Sequence, residues 1–168
     1  MDFDDLKRKY RSLLAPRFNF ECGEGWIAIL AALFDALEAE LPAGIDLRVT
    51  QIKEKFGGLR VYRQAEPTMP DQLQWRIYRL IALAEARSFH VCEHCGRPAR
   101  LWERQGFFVT ACDRHADEHG GEHRGRPARP IDLHPCYERF EDVKLWYCYD
   151  FERDDFFPCP PPPGFRND

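Results

Sequence analysis

The sequence predicts an α+β fold in which helices pack on a small antiparallel sheet and a compact cysteine-rich module is appended. Three observations carry this expectation. Two long segments repeat apolar residues at helical spacing. The segment between them alternates apolar and polar residues around a Gly-Gly pair. After residue 91, two closely spaced cysteines are followed by a cysteine and a histidine with the same spacing.

A chain of 168 residues has room for one domain with a substantial core. Aromatic residues make up 14% of it, which supplies ample core-forming material, and its net charge of -4 argues against a broad basic surface for nucleic acid. Met1-Asp-Phe-Asp-Asp has neither the basic nor the apolar region of a secretory leader. The longest apolar run, from Trp26 to Leu37, is interrupted by Asp35 and is too short to cross a bilayer. A cytoplasmic protein is the expectation, and there its seven cysteines point to metal or free thiols rather than disulfides.

The first element is a short charged helix from Asp2 to Leu14, with Leu6, Tyr10, Leu13 and Leu14 near one face and Pro16 ending it. A glycine-punctuated loop, Phe18 to Gly25, leads into a strong helix from Trp26 to about Leu41. Trp26, Ile29, Leu30, Leu33, Phe34, Leu37 and Leu41 form its apolar stripe. Burial of each large side chain in such a stripe contributes ~1.5–3 kcal/mol. Pro42 and Gly44 stop this helix. From Ile45 to Tyr62 the period changes to two, predicting a β-hairpin joined at Gly57-Gly58 with a bulge between Val49 and Ile52. A second strong helix runs from Thr68 to Arg87. Thr68 and Asp71 have capping-box spacing, Pro70 lies in the first turn, and Leu73, Ile77, Leu80, Ile81 and Ala84 form the apolar face.

Cys92 and Cys95, followed by Gly96, have the spacing of a metal knuckle. Leu101-Trp102 and Phe107 to Thr110 flank Gln105-Gly106 as a short hairpin. Cys112 and His115 follow where a helix begins. Knuckle, hairpin and helix start make a treble-clef-like arrangement, and three thiolates with one imidazole suit tetrahedral zinc. His119, one helical turn after His115, is the alternative fourth ligand. An iron–sulfur cluster is the less favoured reading, with a fourth cysteine from Cys136 or Cys148.

Four ligands from one segment close the coordination shell, so the zinc is expected to be structural. Its binding contributes ~10–16 kcal/mol to folding such a segment. No zinc-deaminase or metalloprotease motif accompanies the cysteines. His94 is expected to face solvent, His123 to be solvated, and His134 with Cys136 to form at most a weak second site. Cys22 reads as a buried structural thiol, with reactivity the alternative. The role of Cys159 is left open.

The rest of the chain divides into a polar basic loop from Gly120 to Pro130, a strand over Val143 to Tyr149, and an extended, proline-rich end from Phe156. The domain organisation expected is an α+β core over 1–87 (helix, helix, β-hairpin, helix), a zinc module over 88–123, and an aromatic, acidic segment over 124–168 packing on the core with a proline-rich tail. Acids and aromatics interleave in that last segment. Trp146, Tyr147, Tyr149, Asp150, Glu152, Asp154 and Asp155 are the candidate partner-binding residues, since aromatics are common interface anchors. For nucleic acid, the candidates are Lys53, Lys55, Arg60 and Arg63, interleaved with Phe56 and Tyr62, and seven arginines between Arg97 and Arg129. Neighbouring acids dilute the field of those arginines.

Phe20-Glu-Cys-Gly-Glu-Gly-Trp26, Gln51-Ile-Lys-Glu-Lys-Phe-Gly-Gly-Leu-Arg-Val-Tyr62, Ala84-Glu-Ala-Arg-Ser88 and Cys92-Glu-His-Cys-Gly96 with Cys112-Asp113 occur in this order. Together they resemble an uncharacterised family of small bacterial and prophage proteins with zinc-binding motifs. The likeness covers about residues 18–119 and excludes the aromatic tail. His115 replaces the second cysteine of the family's closing pair, which keeps a zinc shell and weakens an iron–sulfur reading. The resemblance implies an accessory or neutralising role and supplies no catalytic residues. The function expected is a non-enzymatic, zinc-stabilised protein-binding module, most concretely an immunity protein neutralising a cognate toxin. The alternative is a nucleic-acid-binding regulator; no membrane association is expected.

Overall fold

A computed structural model describes residues 1–65, 69–118, 126–127, 136–140 and 143–161. It is an α+β structure. The elements are α1 (Phe3–Lys9), β1 (Phe20–Glu21), a 3₁₀ turn (Glu24–Trp26), α2 (Ile27–Glu40), β2 (Leu47–Lys55), β3 (Gly58–Ala65) and α3 (Asp71–Ser88). There follow β4 (Arg100–Arg104), β5 (Phe107–Ala111), α4 (Asp113–Glu118), β6 (Arg126–Pro127), β7 (Cys136–Phe140), β8 (Val143–Asp150) and β9 (Asp155–Pro158). These strands form three separate three-stranded sheets.

The first sheet, in the order β1-β2-β3, is the floor of the core. β2 and β3 are antiparallel with the expected register shift, found between Val49 and Gln51. β1 was read as loop. It pairs parallel to β2, Phe20 opposite Ile52, so the sheet is mixed rather than purely antiparallel. Two residues are too few to show a period, and the pairing comes from β2 offering a free edge. The hairpin turn is Phe56-Gly57, one residue earlier than expected. Both residues have positive φ, 54° and 76°, the geometry of a two-residue turn matched to strand twist. Along the other edge of the sheet, α3 supplies acceptors to the outward N–H groups of β3. Leu59 donates to Ser88 Oγ at 2.9 Å and Val61 to Glu85 Oε1 at 2.9 Å. The edge is thereby closed to pairing with another chain.

Above the sheet lie α1, α2 and one face of α3. Trp26, Tyr10, Phe34, Leu30, Leu37 and Ile77 are among the fully buried side chains of this cluster. The Tyr10 hydroxyl reaches the edge of the cluster and donates to Asp35 Oδ1 at 2.8 Å, which explains the acid interrupting the apolar run of α2. The helix α1 ends at Lys9, short of the expected Leu14. Leu13 and Ala15 instead bond to the backbone of Val49 in β2. Pro70 is the N-cap of α3 and gives no side-chain cap. The Thr68 cap lies outside the described residues, as do His119, His123 and His134.

The helix α3 is buried on a second side that its first apolar stripe does not reveal. Ala82 and Ala86 are small enough to let the third sheet, β7-β8-β9, approach closely. There Phe156, Tyr147 and Tyr149 pack against them with Trp75 and Tyr78. Most of the residues named as partner-binding candidates also make contacts within the fold. Trp146 is buried. Arg79 lies over the ring of Tyr147 and pairs with Asp155 at 2.7 Å. Arg87 grips Asp154 with two bonds of 2.7 and 2.6 Å, and Tyr149 donates to the same carboxylate. Asp150 accepts from Glu152 N and Arg153 N in the turn. Of the seven candidates, Glu152 alone keeps an exposed side chain without an internal partner among the described residues.

One correction concerns sulfur. Cys148 and Cys159 form a disulfide across β8 and the end of β9, with Cα atoms 5.7 Å apart. Antiparallel pairing brings the two residues together, a neighbour relation that their spacing of eleven in the sequence does not reveal. No helix among the described residues is long and apolar enough to cross a membrane.

Candidate metal centre

The second small sheet, β5-β4-β6, belongs to the cysteine-rich segment. Its hairpin turns at Gln105-Gly106, again with two positive φ angles, 52° and 84°. Before it, Cys92 N donates to Arg97 O and Gly96 N to Cys92 O, closing a tight knuckle that faces Cys92 and Cys95 to one side. After it, α4 begins at Asp113, with Cys112 just before the helix and His115 in its first turn. Arg100 pairs with Asp113 at 2.8 Å, tying the start of β4 to the start of α4. Trp102 lies beneath, its indole N–H bonded to Ala111 O at 2.9 Å.

These elements bring four donor atoms of Cys92, Cys95, Cys112 and His115 within 4.8 Å of one another. His115 Nδ1 lies 3.4 Å from the sulfurs of both Cys92 and Cys112, and the sulfurs of Cys95 and Cys112 are 3.8 Å apart. For bonds of ~2.3 Å to sulfur and ~2.0–2.1 Å to nitrogen, a tetrahedral centre requires edges of ~3.8 Å between sulfurs and ~3.6 Å from sulfur to nitrogen. These three separations lie close to such edges, so the four residues could hold a metal ion. The backbone N–H of His115 holds the Cys112 thiol down to about 7, favouring the thiolate that metal binding needs. Cys148, a candidate ligand for an iron–sulfur cluster, is held in its disulfide instead.

The start of α2 meets this module through backbone atoms. Gly25 N donates to Glu93 O at 2.7 Å, Gly23 N to the Glu93 carboxylate at 2.9 Å, and the Trp26 indole to Val91 O at 2.8 Å. A side chain at Gly25 would put its Cβ 2.1 Å from Cys92 O, so glycine is what lets the start of α2 touch the knuckle backbone. The Phe56-Gly57 turn meets the metal hairpin from another direction. Thr110 Oγ1 donates to Gly57 O, and a Cβ at Gly57 would overlap Leu101. Phe89, following α3, lies where a Cβ at Gly58 would go.

Burial, aided by the Glu93 charge, pushes the Cys22 thiol up to about 12. The neutral thiol is favoured there, and the residue lies outside the four-residue group. His94 is exposed, its ring 5.3 Å from that of His115. Among the cations of the hairpin, Arg60 is buried over Phe89 and donates to Leu59 O, which removes it from any surface field.

One surface feature was not singled out from the sequence. The two hairpin tips lie side by side, with Phe56 edge-on to Phe108 at 6.4 Å. Phe56 remains 51% exposed and Phe107 80% exposed. Phe56 also holds a left-handed backbone conformation that is costly for a bulky residue. In the sequence, an aromatic directly before Gly-Gly is the visible signal, but the neighbouring tip is more than fifty residues away.

Compared with known proteins, the chain matches no family model, no curated protein and no solved structure.

Proposed function

We propose that this chain is a non-enzymatic protein-binding module braced by a structural zinc ion, and more specifically an immunity protein that neutralises a bacterial toxin. The observation that carries the first part is the donor cluster: four protein ligands at tetrahedral spacing leave no position for a substrate or an activated water. Knuckle, hairpin and helix start make the module treble-clef-like, and three sulfurs with one imidazole favour zinc over harder cations.

The docking face in this reading is the pair of hairpin tips rather than the C-terminal segment. Phe56 and Phe107 are its apolar anchors, and Lys55, whose ammonium lies 5.3 Å from the Phe56 ring, favours carboxylates on the partner. The metal module and the core hairpin each contribute one tip, so the ion holds the two anchors in register.

Elemental analysis of the purified chain is expected to find one zinc per molecule, and substoichiometric metal would overturn the bracing role. Mixing with a toxin encoded beside it is expected to give a stable complex and to abolish toxicity, and F56A/F107A is expected to weaken both. Undiminished toxicity with no complex would remove the immunity role. An undiminished effect of F56A/F107A would move the docking face elsewhere.

A further inference from the structure

A cleft of about 540 Å³ opens where the segment after α1 meets β2. Its size lies within the range of small-molecule sites. Half of its eight lining residues are cations, Lys7, Arg11, Arg17 and Arg48, and none is acidic. In a chain of net charge -4 this is a local reversal of sign. Like charges gathered at one place repel, so the arrangement stabilises the fold less than a mixed surface would.

Two of the cations are held by neighbours. Arg48 lies 3.3 Å from Asp46 and donates to Ser12 O; Lys7 donates to Asn19 Oδ1 at 3.3 Å and lies 4.0 Å from Asp4. Arg11 and Arg17 are exposed and have no ion-pair or hydrogen-bond partner among the described residues. Arg17 is held at φ 59°, in the left-handed region, between Pro16 and the buried Phe18. The turn is closed by Phe18 N donating to Ala15 O at 3.2 Å. Leu14 and Phe18 form an apolar floor, beside which charge interactions are screened less than in open water.

The geometry points to a binding site for a small phosphorylated ligand of the diphosphate class, independent of the metal centre and of any protein partner. The open guanidinium forks of Arg11 and Arg17, with the charges of Arg48 and Lys7 beside them, match several phosphate oxygens, since a fork gives two parallel N–H bonds to a phosphate. One carboxylate has too few acceptors and too little charge to engage all four.

The test uses the full, metal-loaded chain and inorganic pyrophosphate as probe, followed by calorimetry and by thermal melting. One pyrophosphate per chain is expected to bind, to raise the melting temperature and to weaken steeply with added salt. R11Q/R17Q is expected to lose roughly tenfold or more in affinity, with circular dichroism and metal content unchanged. R11K/R17K keeps the charge without the forks and is expected to fall between the two, which preserves a readout if the glutamine variant folds poorly. R76Q/R153Q, which removes two partly exposed cations outside the cleft, is expected to bind like the parent chain. Absence of binding at millimolar pyrophosphate in low salt would overturn the site, as would equal loss in R76Q/R153Q. Succinate binding as tightly as pyrophosphate would overturn the phosphate assignment. None of these outcomes depends on zinc content or on a toxin, so failure here is separable from failure of the protein-binding reading.

Discussion

The metal hairpin and the C-terminal sheet are two three-stranded additions to the same core, each too small to hold itself together by burial. Twenty-one buried residues make up the core cluster, against four in the metal hairpin and three where the C-terminal sheet meets α3, among the described residues. Each addition carries groups able to cross-link it, but of different chemistry. The metal hairpin gathers three sulfurs and a ring nitrogen, while the C-terminal sheet closes a disulfide between Cys148 and Cys159. They also dock differently. The metal module meets the core through backbone atoms at glycines, whereas the C-terminal sheet docks through side chains, with Arg79 and Arg87 clamping Asp155 and Asp154. Backbone docking admits almost no substitution; side-chain docking tolerates it.

Removing the metal is the strongest way to break the comparison. Chelation, or C112S, is expected to unfold the metal hairpin with a loss on the order of 10 kcal/mol of local stability. Trp102 fluorescence should then shift toward that of an exposed indole, while the C-terminal sheet stays folded. An unchanged Trp102 signal would show that the hairpin needs no ion.

A pH titration probes the helix that carries the C-terminal sheet. Burial raises the Glu85 carboxyl from its ordinary value near 4.5 to about 7, partly offset by the Val61 N–H and by Arg60. Because the folded value is raised, this group's contribution is fully present below pH 4.5 and is lost as pH rises through about 7. The loss is on the order of 3 kcal/mol. E85Q, which keeps an acceptor for Val61, is expected to flatten the fall in melting temperature between pH 5 and 8; an equal fall in E85Q would assign it to other groups.

C148S/C159S sharpens the contrast from the other side. Opening a loop of this length is expected to cost ~2–3 kcal/mol. The effect should be confined to the C-terminal sheet, read as faster proteolysis there with metal content unchanged. G25A tests backbone docking. The added methyl must displace the Cys92 carbonyl, with an expected loss of ~1–3 kcal/mol and weaker metal retention. A neutral G25A would mean that the knuckle can move away from α2 without consequence. R87Q has the smallest effect. The guanidinium holds the Asp154 carboxyl below the usual carboxylate range, but the pair is partly exposed, at 30% and 48%, so the expected loss is only ~0.2–1 kcal/mol.

Local periodicity was readable wherever one face of an element meets one neighbour. The stripe of α2, the alternation of β2 and β3 with its bulge, and the knuckle spacing of Cys92 and Cys95 all carry their meaning within about fifteen residues. The Cys112 and His115 pair was legible for the same reason. The readings that changed involve elements with two neighbours or pairings without period. Ala82 and Ala86 give no strong apolar signal, yet they admit a whole sheet. Phe20 and Glu21 are too short to alternate. Tyr149, Asp154 and Asp155 look like a sticky surface until the arginines of a helix some seventy residues earlier are placed beside them.

By itself the sequence determined which segments become helices and hairpins and which four side chains can share an ion, because periods, caps and ligand spacings are short-range properties of the chain. Only the tertiary structure decided which charges meet, which glycines touch another backbone, which aromatics remain exposed at the hairpin tips and which cations share a cleft. Those outcomes depend on long-range packing, where residues far apart in the sequence become neighbours and no local pattern records the pairing.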